Sequence, residues 1–178
     1  MLTFNNYEID LRSIPGEICL TFYLCDCPCH CHGCSSPWLW QPGKRELTSE
    51  KVAKALAKLP HATCVLFMGG DNDPETVFAL AAEARRLGRT AAWYSGRGFS
   101  NDAVSYLDYY KVGPWLADYG PLNCRTTNQR LFKVHPDGTI ENITSRFWTR
   151  ENEWRPQQGV AIEQFAAKWK LEKDECNG

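Results

Sequence analysis

Short apolar runs alternate with amphipathic stretches along much of the chain. ICLTFYL (Ile18 to Leu24) is rich in β-branched and aromatic side chains and predicts a buried strand. TCVLFM (Thr63 to Met68), TAAWYS (Thr90 to Ser95) and LDYYKV (Leu107 to Val112) repeat the pattern. Between the first two, LTSEKVAKALAKL predicts a helix, with Thr48 as its cap and Val52, Ala55, Leu56 and Leu59 on one face. A second helix is predicted after Asp73 and Pro74, a cap followed by a first-turn proline. Its apolar stripe is Val77, Leu80, Ala81, Ala84 and Leu87, and Gly88 closes it. A short helix is expected from Asn101 to Tyr106. LFKV-HPDG-TIENI then reads as a hairpin turning at Asp137-Gly138. From about Thr149 the chain turns polar, and VAIEQFAAKWKLEK predicts a terminal helix.

Strands alternating with helices predict an α/β fold built on a mostly parallel sheet, with a small C-terminal hairpin and helix. In such sheets ligands gather beyond the carboxyl ends of the strands. Three features fall at predicted strand ends: a cysteine-rich stretch after Leu24, Gly69-Gly70-Asp71 after Met68, and Ser95-Gly96. Their convergence on one rim points to a single active site.

Composition narrows the class. The 178 residues are 43% hydrophobic, with seven Trp, seven Tyr and eight Phe, enough for an ordinary folded core. A formal net charge of -1 gives no overall pull toward nucleic acid. No apolar run has the length of a membrane span, and MLTFNNYEID lacks the features of a secretory signal. A cytoplasmic protein with reduced thiols is therefore expected.

Residues 25 to 34 read CDCPCHCHGC. Cysteines this crowded are poorly placed for mutual disulfides, which need Cα atoms roughly 4.4–6.8 Å apart with converging side chains, so a metal site is the better default. Structural zinc sites usually combine two ligand pairs separated by a dozen or more residues; here Cys64, Cys124 and Cys176 are remote singles. A spacing of three residues and then two is met by one triple in the stretch, Cys27, Cys31 and Cys34. Three thiolates on a cubane cluster leave one iron open, the logic that separates catalytic from structural metal sites.

Cys27-x3-Cys31-x2-Cys34 resembles the signature of radical S-adenosylmethionine enzymes. CHGCSSPWLW, FMGGDNDPE, AAWYSG and TTNQR, in this order, resemble the activating protein family of anaerobic ribonucleoside-triphosphate reductases. The resemblance spans residues 1–148, an activase domain in the form of a partial, open β/α barrel, and leaves 149–178 as a C-terminal extension. It implies that Cys27, Cys31 and Cys34 hold a [4Fe-4S] cluster and that Gly33, Cys34 and Ser35 line S-adenosylmethionine beside it. Gly69, Gly70 and Asp71 would contact the cofactor's methionine amino group, where glycines permit close backbone approach and a carboxylate accepts from an ammonium. Ser95 and Gly96 would touch its ribose or carboxylate. Trp93 and Tyr94 fit core and site equally. For Arg130, in the TTNQR block, a carboxylate partner and a structural salt bridge are both open.

The implied reaction is one-electron cleavage of S-adenosylmethionine to a 5′-deoxyadenosyl radical. That radical abstracts hydrogen from a glycine of the reductase large subunit, and a flavodoxin-like protein or similar donor supplies the electron. Cys25, Cys29, His30 and His32 are extra to the pattern and read as bystanders; Cys19, Cys64, Cys124 and Cys176 read as buried small side chains or surface thiols. The alternatives are a radical enzyme acting on another protein or peptide, and a zinc-binding module without catalysis.

Overall fold

The computed structural model describes residues 1–148. The polar segment and terminal helix expected beyond them, and Cys176, lie outside the described residues. Eight strands form one sheet: β1 (Thr3–Asp10), β2 (Cys19–Leu24), β3 (Arg45–Glu46), β4 (Cys64–Met68), β5 (Thr90–Tyr94), β6 (Tyr109–Val112), β7 (Arg130–Val134) and β8 (Ile140–Asn142). Their order across the sheet is β3-β1-β2-β4-β5-β6-β7-β8.

The expectation of a mostly parallel sheet is corrected. β2, β4, β5 and β6 pair in parallel, but β1 runs antiparallel to β2 and β3, and β7 runs antiparallel to β6 and β8. The sheet is mixed, with antiparallel pairings in the majority, and its outermost strands do not pair with each other. The physical reason lies in the connections. Parallel neighbours need a crossover, usually a helix. α1 (Ser49–Lys58) and α2 (Pro74–Arg86) supply two, and the short α3 (Asn101–Val104) sits in the third. The links β1–β2, β6–β7 and β7–β8 contain no helix, so the chain doubles back. The last of these is the expected hairpin, with Asp137 Oδ1 accepting from Thr139 N at 2.9 Å.

Both predicted helix caps are present. Thr48 accepts from Lys51 N at 3.4 Å, and Asp73 from Thr76 N at 3.2 Å with Pro74 in the first turn. Alternation along the strands divides the interior in two. Phe22, Val65, Phe67, Ala91, Trp93 and Tyr110 face the helices, against Val52 and Leu56 of α1 and Val77 and Ala81 of α2. Cys19, Cys64, Leu66, Ala92, Tyr109 and Leu131 point to the other face, under Ile14 and Ile143. Cys19 and Cys64 are fully buried and Cys124 nearly so, as expected of small core side chains. No helix among the described residues is long and apolar enough to cross a membrane.

The carboxyl ends of the parallel strands share one register. Tyr23, Met68, Tyr94 and Lys111 are consecutive partners across β2, β4, β5 and β6, on the face away from the helices. This row is the platform on which the site is built.

Candidate metal centre

The loop after β2 is anchored before it reaches the platform. Cys25 N donates to Thr3 O at 2.8 Å, Asp26 N to Gln41 O at 3.2 Å and Cys27 N to Leu39 O at 2.9 Å. Asp26 takes a left-handed backbone (φ 58) and accepts from Thr3 Oγ1 at 2.8 Å. Buried Leu39, in the turn Pro37–Trp40, fastens the far side of the loop. His30 is a second left-handed residue (φ 42), its ring stacked on Trp40 with centroids 5.0 Å apart. Cys34 N donates to Cys31 O at 3.0 Å, closing a turn over the last two residues of the spacing.

Four thiols result on one cavity of about 290 Å³: Cys27, Cys29, Cys31 and Cys34. Met68, Tyr94 and Lys111 of the platform line it, as do Gly69, Asp71, Ser95 and Gly96 from the next two strand ends. Ser35 stands at its wall. Gly33 is exposed, and a Cβ there would lie 3.3 Å from Trp115 Nε1. Gly70 is buried away from the cavity, against Leu24 and Val77. Cys25 is fully buried and outside the cavity, while His32 is exposed. The thiols extra to the sequence pattern thus separate: Cys25 belongs to the interior and Cys29 to the site.

Asp71, 1% exposed, ties two strand ends together. Its carboxylate accepts from Ser95 Oγ and, at 3.1 Å, from Gly96 N. Ser95 Oγ in turn accepts from Arg97 N at 2.9 Å. Trp93 is a core residue, but its indole N–H donates to Gly69 O at 2.7 Å and orients the Gly69-Gly70 turn. Gly69 is needed there: its φ is +91°, and a Cβ would lie 2.9 Å from Leu24 O. Tyr94 belongs to the site and donates to Ser13 O. Arg130 binds neither a carboxylate nor an ion-pair partner among the described residues; its guanidinium donates to the carbonyls of Thr127 and Gln129.

The loop thiols differ in their electrostatics. Cys29 donates its thiol hydrogen to Cys27, which brings the Cys27 pKa down to about 6 and raises that of Cys29. Burial raises Cys31. Lys111 sits beneath the cavity, donating to Gly113 O at 2.9 Å. Burial lowers its pKa to about 8, against the opposing field of Asp71. Sequence reasoning assigned Lys111 no role. Its signal is a lysine near the end of a strand whose other residues are apolar or aromatic, since lysine is rarely buried without a partner.

Several soft thiolate donors converging on one cavity, with backbone N–H groups and a cation nearby, suit an iron–sulfur cluster. Cys27 Sγ, Cys29 Sγ and an Asp71 oxygen lie within 4.8 Å of one another. No curated protein and no solved structure matches the chain. Residues 15–109, which run from the approach to β2 through the cysteine loop and the strand ends around it to the start of β6, match a family described as a 4Fe-4S single cluster domain, and the chain belongs to that family.

Proposed function

We propose that the protein is a radical S-adenosylmethionine activase that generates a glycyl radical on the large subunit of an anaerobic ribonucleoside-triphosphate reductase. The carrying observation is the cavity itself, where the thiol loop, the Gly69-Gly70-Asp71 turn, the Ser95-Gly96 turn and Lys111 meet above four aligned strand ends. Membership of an iron–sulfur family supports it, as do the sequence blocks around Cys27, Gly69, Ser95 and Gln129. When bound, the cluster and cofactor together supply reductive cleavage of a sulfonium C–S bond to a 5′-deoxyadenosyl radical and methionine.

The chain's own residues bind and orient. Cys27, Cys31 and Cys34 hold the cluster. Asp71 fixes the Ser95-Gly96 turn and accepts from an N–H of the cofactor's amino group with its remaining lone pairs. Lys111, protonated below its pKa of about 8, pairs with the cofactor carboxylate. The Gly69 turn leaves the backbone open to close approach. Tyr94, Pro121 and Leu122 also wall a groove of about 810 Å³ beside the cavity. It gives a segment of the large subunit a route to the reacting carbon. In this reading the parallel strands β2, β4, β5 and β6 correspond to part of the open barrel of the radical enzymes, the setting is cytoplasmic, and a flavodoxin-like protein delivers the electron.

The test is electron paramagnetic resonance on the reductase large subunit incubated anaerobically with reconstituted protein, S-adenosylmethionine and a reductant. A glycyl radical doublet is expected, lost in Cys27→Ala, Cys31→Ala and Cys34→Ala together with the iron. Cofactor cleavage without a radical on the reductase would instead favour another polypeptide substrate. A colourless protein holding stoichiometric zinc and no sulfide would overturn the radical reading.

A further inference from the structure

Cys29 is built into the site. The turn at Pro28-Cys29 and the left-handed backbone of His30, held by its stack on Trp40, send His30 outward and Cys29 inward. The opposite wall makes room for it: a Cβ on Gly96 would lie 2.6 Å from Cys29 Sγ and 3.2 Å from Cys29 Cβ. The sulfur lies within 4.8 Å of both Cys27 Sγ and an Asp71 oxygen. Of the donors facing it, Asp71 is committed to Ser95 and Gly96, and a thiolate is the better ligand for cluster iron. Cys29 thus faces the same cavity as Cys27, Cys31 and Cys34, with its sulfur near enough to Cys27 to serve the same metal centre.

We propose that Cys29 is a displaceable fourth ligand, capping the iron that Cys27, Cys31 and Cys34 leave open until a small-molecule ligand enters the cavity and replaces it. This rests on the activase reading for the identity of that ligand, but not for the capping itself. The exchange is redox-neutral. The Fe–S bond to Cys29 breaks with both electrons remaining on sulfur. The amino group of the entering cofactor gives up one proton as it binds iron, and the Cys29 thiolate takes that proton. The cap shields the open iron from solvent and small oxidants while the cavity is empty of cofactor.

The experiment compares reconstituted full-length protein with Cys29→Ala, both enriched in ⁵⁷Fe, using Mössbauer and electron paramagnetic resonance spectra with and without cyanide and S-adenosylmethionine. Equal iron and sulfide contents are expected. Cyanide should change the spectra of Cys29→Ala at a markedly lower concentration than it changes those of the cofactor-free native protein. Binding of S-adenosylmethionine should release close to one more proton from Cys29→Ala than from the native protein, read by calorimetry in buffers of different ionisation enthalpy. Its affinity should rise by the inverse of the uncapped fraction, about tenfold if one chain in ten is uncapped. Gly96→Ala keeps the thiol but crowds it, and should respond to cyanide as Cys29→Ala does. An equal cyanide response in native protein and both variants would overturn the proposal, as would loss of the cluster from Cys29→Ala. If S-adenosylmethionine perturbs neither protein while the cyanide difference persists, the cap stands and the activase reading falls.

Discussion

Lys111 shows how one side chain can mark a site more clearly than a motif does. A buried ammonium with one carbonyl partner is unfavourable for folding on its own, so its place beneath four thiols and beside Asp71 calls for an anionic ligand. Lys111→Met should therefore retain the cluster and the thermal midpoint, yet weaken S-adenosylmethionine binding roughly ten- to hundredfold, the equivalent of one charge-assisted hydrogen bond. Equilibrium binding and a melt on the same preparation check both halves. A purely structural lysine would lower the midpoint and spare the affinity. At this scale the sequence was only partly legible. Spacing singled out Cys27, Cys31 and Cys34, but it had no means of separating Cys25 from Cys29. That distinction depends on the direction of each side chain, which the His30 stack and the glycine at 96 determine from far along the chain.

At the scale of elements, the two crossover helices were readable because their caps and apolar stripes act locally. Asp73 illustrates the energetics. The Met1 amino group and Thr76 hold its carboxyl below the usual range. The stabilisation it gives α2 is complete above the ordinary carboxylate pKa of about 3.9 and fades as the pH falls through the lower folded value. Asp73→Ala should cost about 1 kcal/mol near neutral pH, with the difference from native protein shrinking in acid; urea melts at several pH values measure it. β1 was missed for an equally local reason. Its pairing slips between Phe4 and Tyr7, so both rings pack on Phe22 despite their odd spacing, and the alternation that announces a strand is broken. β3, with two residues, is too short to leave a pattern. Strand direction was also beyond local reading: nothing in the five residues of β7 sets its direction, and only the absence of a helix in the link before it makes the chain return antiparallel.

Across the whole molecule, chemistry and stability occupy different places. None of Cys27, Cys29, Cys31 and Cys34 belongs to either hydrophobic core. Removing iron by anaerobic chelation should therefore bleach the protein while leaving its far-ultraviolet circular dichroism and a cooperative melt, unlike small zinc domains that unfold without metal. Collapse of the secondary structure on chelation would show that the loop and sheet fold as one unit with the cluster. The placement of the outermost strands carries a separate consequence. β3 has two residues and covers β1 only at Thr3 and Phe4, so the stretch of β1 from Asn5 to Asp10 forms an open edge of the sheet. An edge of this length is a template for a strand from another chain unless charge or an irregular register blunts it. Glu8 and Asp10 set two negative charges along it and the slip between Phe4 and Tyr7 interrupts its register, so among the described residues the addition of a foreign strand at this edge is discouraged.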